Sequence, residues 1–178
     1  MSRLTAPIIG GLLALTVAAL AAGGAFAGDD GMRLIEARAP KHLWSTINIC
    51  DTQRHPDQLG IRARMPGNGT KQKMWMRFFA QYQRKGAWVS VPGAMSSWRR
   101  AGSAAYEWAE RGWTFQIDDL DPGDGFQMRG LVKFQWRKHG EVLREKHAYT
   151  SAGHATSDGD PKGYSAATCF MSGDALTK

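Results

Sequence analysis

The chain has 178 residues, 43% of them hydrophobic and 22% charged, with 23 basic against 16 acidic side chains for a net charge of +7. That length carries one domain with a proper core and argues against a second. The sequence has no internal repeat of fixed period and no heptad, which excludes a solenoid and a coiled coil, and its cationic balance favours anionic partners.

Met1-Ser2-Arg3 places one positive charge ahead of an apolar run over residues 7–22, and no ionisable side chain follows until Asp29. Ala25-Phe26-Ala27 then puts small residues where a signal peptidase reads them, so residues 1–27 form the pattern of a secretory signal cleaved after Ala27. The alternative is an uncleaved anchor, because residues 8–26 approach the ~20 that a bilayer requires. Their Gly and Ala content makes a poor anchor, and cleavage leaves a mature chain without a membrane span. The expected destination is secreted or extracellular. Residues 28–41 mix Gly, charge and Pro40 as a flexible lead-in, and residues 42–178 form the single domain.

From residue 43 onward, short β-branched and aromatic stretches alternate with turn residues. The first two predicted strands cover residues 43–50 and 59–65, separated by His55-Pro56-Asp57 and followed by Pro66-Gly67-Asn68-Gly69. Over residues 72–84, Met74, Met76, Phe78, Ala80 and Tyr82 alternate with Trp75, Arg77, Phe79, Gln81 and Gln83, the period of a long strand. Lys85-Gly86 turns into a strand over 87–91, which Pro92-Gly93 is expected to end. Residues 94–111 are ambiguous, a short helix over 104–109 being one reading, and 113–117 form the next strand.

The clearest alternation runs over residues 126–136. Phe126, Met128, Gly130, Val132, Phe134 and Trp136 point one way, and Gln127, Arg129, Leu131, Lys133, Gln135 and Arg137 the other. His139-Gly140 is a tight turn into a strand over 141–150, closing a hairpin, and a last strand covers 165–171. About eight short strands with little helix predict an all-β, antiparallel two-sheet sandwich.

Cys50 and Cys169 lie near the two ends of the mature chain, and in an oxidising compartment this single pair is expected to form a disulfide tying the first strand to the last.

One run sharpens the fold. Leu120-Asp121-Pro122-Gly123-Asp124-Gly125-Phe126-Gln127-Met128-Arg129 resembles the Leu-x-Pro-Gly-x-x-Tyr-x-Val-Arg run of fibronectin type III domains. The resemblance implies an immunoglobulin-like or fibronectin type III-like sandwich with Leu120 as a buried plug, Pro122-Gly123 as the turn and Phe126 at the corner. Phe126 replaces the family's Tyr, so the hydroxyl bond of a tyrosine corner is not made. The strands before residue 59 and after 150, which carry the cysteines, are extra to that pattern.

No motif fixes a reaction, and no catalytic residue, metal or cofactor is assigned. An EF-hand loop from Asp119 fails at Gly123, Asp124 and Gly130, which makes Asp118, Asp119, Asp121 and Asp124 a solvated turn. His42, His55, His139, His147 and His154 lack a zinc spacing, although His147 and His154 with Asp158 or Asp160 are the set a fold would have to gather. Gly-x-Ser-x-Gly and Ser-x-x-Lys are absent. Asn68-Gly69-Thr70 matches a glycosylation acceptor and is more simply a turn.

Arg129, Lys133 and Arg137 share one face of their strand and Lys138 follows, a candidate anion-binding set. These residues point to a non-enzymatic binding or structural module that docks an anionic cell-envelope polymer or a protein partner. The rivals are a secreted hydrolase or metal-dependent enzyme, marked by a cleft of His and Asp, and a carbohydrate-binding module, marked by a flat row of exposed tryptophans.

Overall fold

A computed structural model describes residues 42–117, 120 and 123–173. The expected signal and lead-in, Asp118, Asp119, Asp121 and Pro122 lie outside the described residues. Nine strands run through the described residues: β1 (Trp44–Thr52), β2 (His55–Pro66), β3 (Lys73–Arg84), β4 (Ala87–Met95), β5 (Arg99–Ser103), β6 (Trp108–Gln116), β7 (Gly125–Lys138), β8 (Glu141–Tyr149) and β9 (Cys169–Ser172). Every ladder between them is antiparallel.

The strands form two sheets. The first has the order β1-β2-β6 and the second β4-β3-β7-β8. On one side of β3, β4 pairs residues 79–84 and β5 pairs residues 73–76; on the far side of β7, β8 and β9 likewise divide its length. The protein is therefore an all-β antiparallel sandwich, as its turn-rich alternation predicted.

Period-two alternation builds the core. Leu59, Ile61, Ala63 and Met65 from the first sheet face Met74, Met76, Phe78 and Ala80 of β3 and Met128, Val132, Phe134 and Trp136 of β7, all buried. The Trp136 indole satisfies its Nε1–H on the Pro66 carbonyl at 3.3 Å, as a buried indole requires. Gly130 of β7 lies against Ile61 of the first sheet. A Cβ there would lie 2.6 Å from Ile61 Cδ1 and 2.7 Å from Thr150 Cγ2, so no larger residue fits without displacement.

Cys50 of β1 and Cys169 of β9 are bonded, which staples one sheet to the other across 119 residues of sequence. The stretch after β8 covers the free edge of β1. Ser151 N–H donates to Ser45 O, Asp160 N–H to Asn48 O, and Ala166 exchanges two backbone bonds with Ile47. That edge is thereby withheld from pairing with another chain.

Three expectations are corrected. β4 continues through Pro92-Gly93 to Met95, because it is an edge strand where a missing N–H removes no ladder bond and the register shift beside Phe79 accommodates the bend. Residues 104–109 are not helical. Their backbone groups are taken by a neighbouring turn: Ala104 N–H donates to Gln72 O, Ala104 O accepts from Asn68 and Gly69, and Glu107 O accepts from Gly67. The last predicted strand is also shorter, since Ala166 pairs with β1 in the first sheet before the chain crosses to β9 in the second. The turns at Lys85-Gly86 and His139-Gly140 carry positive φ at both residues, the conformation that suits two-residue hairpins.

Candidate functional site

The outer face of the second sheet collects what the sequence separates. β7 contributes Arg129, Leu131, Lys133, Gln135 and Arg137, as its alternation predicted, and β3 contributes Trp75, Arg77, Phe79 and Gln81. The β3–β7 register sets Trp75 opposite Gln135, Arg77 opposite Lys133, Phe79 opposite Leu131 and Gln81 opposite Arg129. Adjacent strands lie about 4.8 Å apart and same-face neighbours about 7 Å apart, so these side chains form one grid.

Cations and rings interleave across that grid. The Arg129 guanidinium lies 4.4 Å from the Trp88 ring centre and 3.9 Å from that of Tyr149. Arg137 lies 4.9 Å from Trp75 and 4.7 Å from Trp98, and Arg77 lies 5.6 Å from Phe79 and 5.9 Å from Trp98. Lys133 Nζ is 5.8 Å from Phe79. Each such stacking is worth about 0.5–1 kcal/mol at an exposed site and more when desolvated.

Neutral acceptors then orient the guanidiniums. Arg129 Nε donates to Gln81 Oε1 at 2.9 Å, Arg137 Nε to Gln135 Oε1 at 2.7 Å, and Arg77 Nε to Ser96 O at 3.0 Å. Ion pairs among the described residues involve Arg54, His55, Arg62 and Arg64, none of which is on this face. Glu145, the carboxylate nearest in register, accepts from Gln135 Nε2 instead. Arg77, Arg129, Lys133 and Arg137 therefore carry no acidic partner among the described residues.

Lys138 stands apart from the other three sequence-predicted cations. It is exposed at the end of β7, paired in register with Glu141 beside the hairpin turn. Arg77 and the rings of Trp75, Phe79, Trp88, Trp98 and Tyr149 were not singled out for this face. The phase of Trp75 and Arg77 against Met74 and Met76 was the signal, but joining them to β7 required the strand pairing. Trp75 is half-buried, and its Nε1 is enclosed without a hydrogen-bond partner.

The residues considered for metal have other engagements. His147 packs edge-on against Tyr149 at 5.7 Å, and His154 stacks flat on Trp44 at 4.7 Å. Burial and, secondarily, the Arg64 charge hold the His154 imidazole below its ordinary pKa. Asp158 pairs with Arg62 at 2.7 Å, while Asp160 accepts from Thr52 and Arg54, two bonds that hold its carboxyl below the usual range. Among the described residues no three His, Cys, Asp or Glu side chains gather as a metal group.

At one end of the sandwich, half-buried Leu120 packs on the core and Phe126 meets Tyr82 edge-on at 5.5 Å. Both line an apolar cleft of about 410 Å³ with Val91, Ile117 and Met128. Asn68 Oδ1 accepts from the Thr70 N–H at 3.1 Å, an Asx turn at the glycosylation-like triplet.

No family model matches the chain, and none of the curated proteins matches it. The functional reading therefore rests on the geometry of its own residues.

Proposed function

We propose that this protein is an exported, non-catalytic β-sandwich module that docks an anionic polymer of the cell envelope or extracellular space on the outer face of its second sheet. The observation that carries the reading is Arg77 directly opposite Lys133 within a set of four cations lacking acidic partners among the described residues. Like charges directly across a ladder are destabilising, and a bound polyanion removes that cost while gaining from all four.

The ring arrangement favours a charged ligand over a neutral sugar. A carbohydrate platform presents open tryptophan faces, whereas Trp75, Trp88 and Trp98 each already hold a guanidinium within 5 Å of the ring centre. Their effect is to pin the charges and limit the entropy lost on binding. The arrangement of strands supports the immunoglobulin-like part of the reading. In that fold strands A, B and E share one sheet and C, F and G the other, and here the first, second and sixth strands face the third, seventh and eighth. Fold alone assigns no activity.

Retention on immobilised heparin, used as a model polyanion, tests the proposal. The protein should be held at low salt and released as salt rises, the sign of counterion release. Arg77→Gln/Lys133→Gln, which removes the opposed pair, should elute at clearly lower salt, whereas Arg77→Lys should elute close to the parent. Equal elution of parent and double variant overturns it.

A further inference from the structure

We propose a second, smaller anion site at the open edge between the sheets, where Arg99, Arg100 and Arg111 surround a recess of about 340 Å³ that is also lined by Gly112. Its ligand is a single tetrahedral oxyanion group, phosphate or sulfate.

The recess lies between β5 of the second sheet and β6 of the first. Each strand is the edge of its own sheet, and no ladder joins them. Two arginines reach across the gap in opposite directions. Arg99 is paired in register with the core residue Met76, and its guanidinium lies 4.3 Å from the ring centre of Trp113 on β6. Arg111 is paired with the core residue Ala63, and its Nε donates to the Arg100 carbonyl on β5 at 3.1 Å. Positions that would normally fill the core with apolar side chains thus carry guanidiniums at this edge.

Those contacts fix the two groups and leave most of their donors unspent. An arginine carries five N–H donors; Arg111 uses its Nε–H, and Arg99 uses the face of its guanidinium rather than its edge. The Arg100 side chain makes no ion pair or ring contact among the described residues. Arg99 and Arg111 therefore bring two guanidiniums to one recess, where Arg100 offers its carbonyl and turns its side chain to the Trp75 face, and neither guanidinium is ion-paired among the described residues. Planar guanidinium forks match the oxygens of phosphate and sulfate, and charge-assisted bonds of this type are roughly twice as strong as neutral ones. The two guanidiniums converge on one recess and so select a single compact group, whereas the flat cation–ring face suits an extended chain.

Titration of the protein with sodium phosphate, and separately with sodium sulfate and glycerol phosphate, followed by calorimetry, tests the assignment. Saturable binding with one site per chain is expected. A response to glycerol phosphate equal to that of inorganic phosphate identifies a terminal monoester as acceptable. A response to the inorganic ions alone restricts the site to the free ion. Arg111→Gln and Arg99→Gln should each weaken phosphate binding by about tenfold or more, as expected for loss of a charge-assisted bond. Urea midpoints of both variants close to that of the parent separate loss of the site from unfolding, and Arg100→Gln, opposite Trp75 on the other face, should leave phosphate binding within about twofold of the parent. Arg77→Gln/Lys133→Gln should leave phosphate binding within about twofold of the parent, so that failure here and failure of the polymer-binding face are separable. Absence of saturable binding, or equal weakening by both sets of variants, overturns the proposal.

Discussion

Arg129 Nε and Gln81 Oε1 meet at 2.9 Å directly across the ladder that joins β7 to β3. A neutral amide oxygen orients the guanidinium without cancelling its charge, and the rings of Trp88 and Tyr149 fix its plane. Gln81 is a positioning residue on this account. Gln81→Leu should lower heparin affinity by several-fold with all cations intact, while Gln81→Glu should lower it further by neutralising Arg129. Isothermal titration of the two variants against the parent measures both effects, and an unchanged affinity in Gln81→Glu would contradict the role given to Arg129.

The bond between Cys50 and Cys169 closes a loop of 119 residues. On the chain-entropy model such a crosslink stabilises by about 4–5 kcal/mol. Replacing both cysteines by alanine should lower stability by roughly 2–5 kcal/mol, read from the midpoint of urea unfolding.

Gly130 lies between Ile61 and Thr150, whose side chains leave no room for a methyl group. Gly130→Ala should cost about 1–3 kcal/mol, the range for overpacking a close-packed core. Ile61→Val withdraws the nearer obstacle, Ile61 Cδ1, and should restore part of that loss when combined with it. Strict additivity of the two single costs would show that the contact is not the cause.

His154 titrates below its ordinary value in the folded protein, first because it is partly buried against Trp44 and second because Arg64 is near. The unfolded chain therefore binds a proton at higher pH than the folded one. The stability contributed by the neutral, stacked imidazole is fully present above the unfolded pKa of 6.5 and is lost as pH falls through the lower folded value. The thermal midpoint should fall as pH drops below 6.5 in the parent, and more gently in His154→Phe, which keeps the stack without the titration. Asp160 acts in the same direction at lower pH, since Thr52 and Arg54 hold its carboxyl below 3.8. Asp160→Asn should remove the further loss that occurs as the parent is acidified through that region.

Local chemistry was legible wherever one segment contained the whole signal. The alternation of Met128, Val132, Phe134 and Trp136 with Arg129, Lys133 and Arg137 is a property of a single strand, because the pleat turns successive side chains to opposite faces. The Lys85-Gly86 and His139-Gly140 turns and the one available cysteine pairing were readable for the same reason. Tertiary structure alone decided what lies beside these residues. Arg77 meets Lys133 only through the β3–β7 register, Trp98 reaches Arg137 only because β5 continues the edge begun by β4, and Arg99 meets Arg111 only across the gap between sheets. Pro92 ended a strand in the sequence reading but not in the fold, because its cost depends on whether a neighbour needs its N–H. Side-chain alternation is fixed by the backbone of one strand, whereas pairing and sheet order are fixed by burial summed over distant segments, which no single segment encodes.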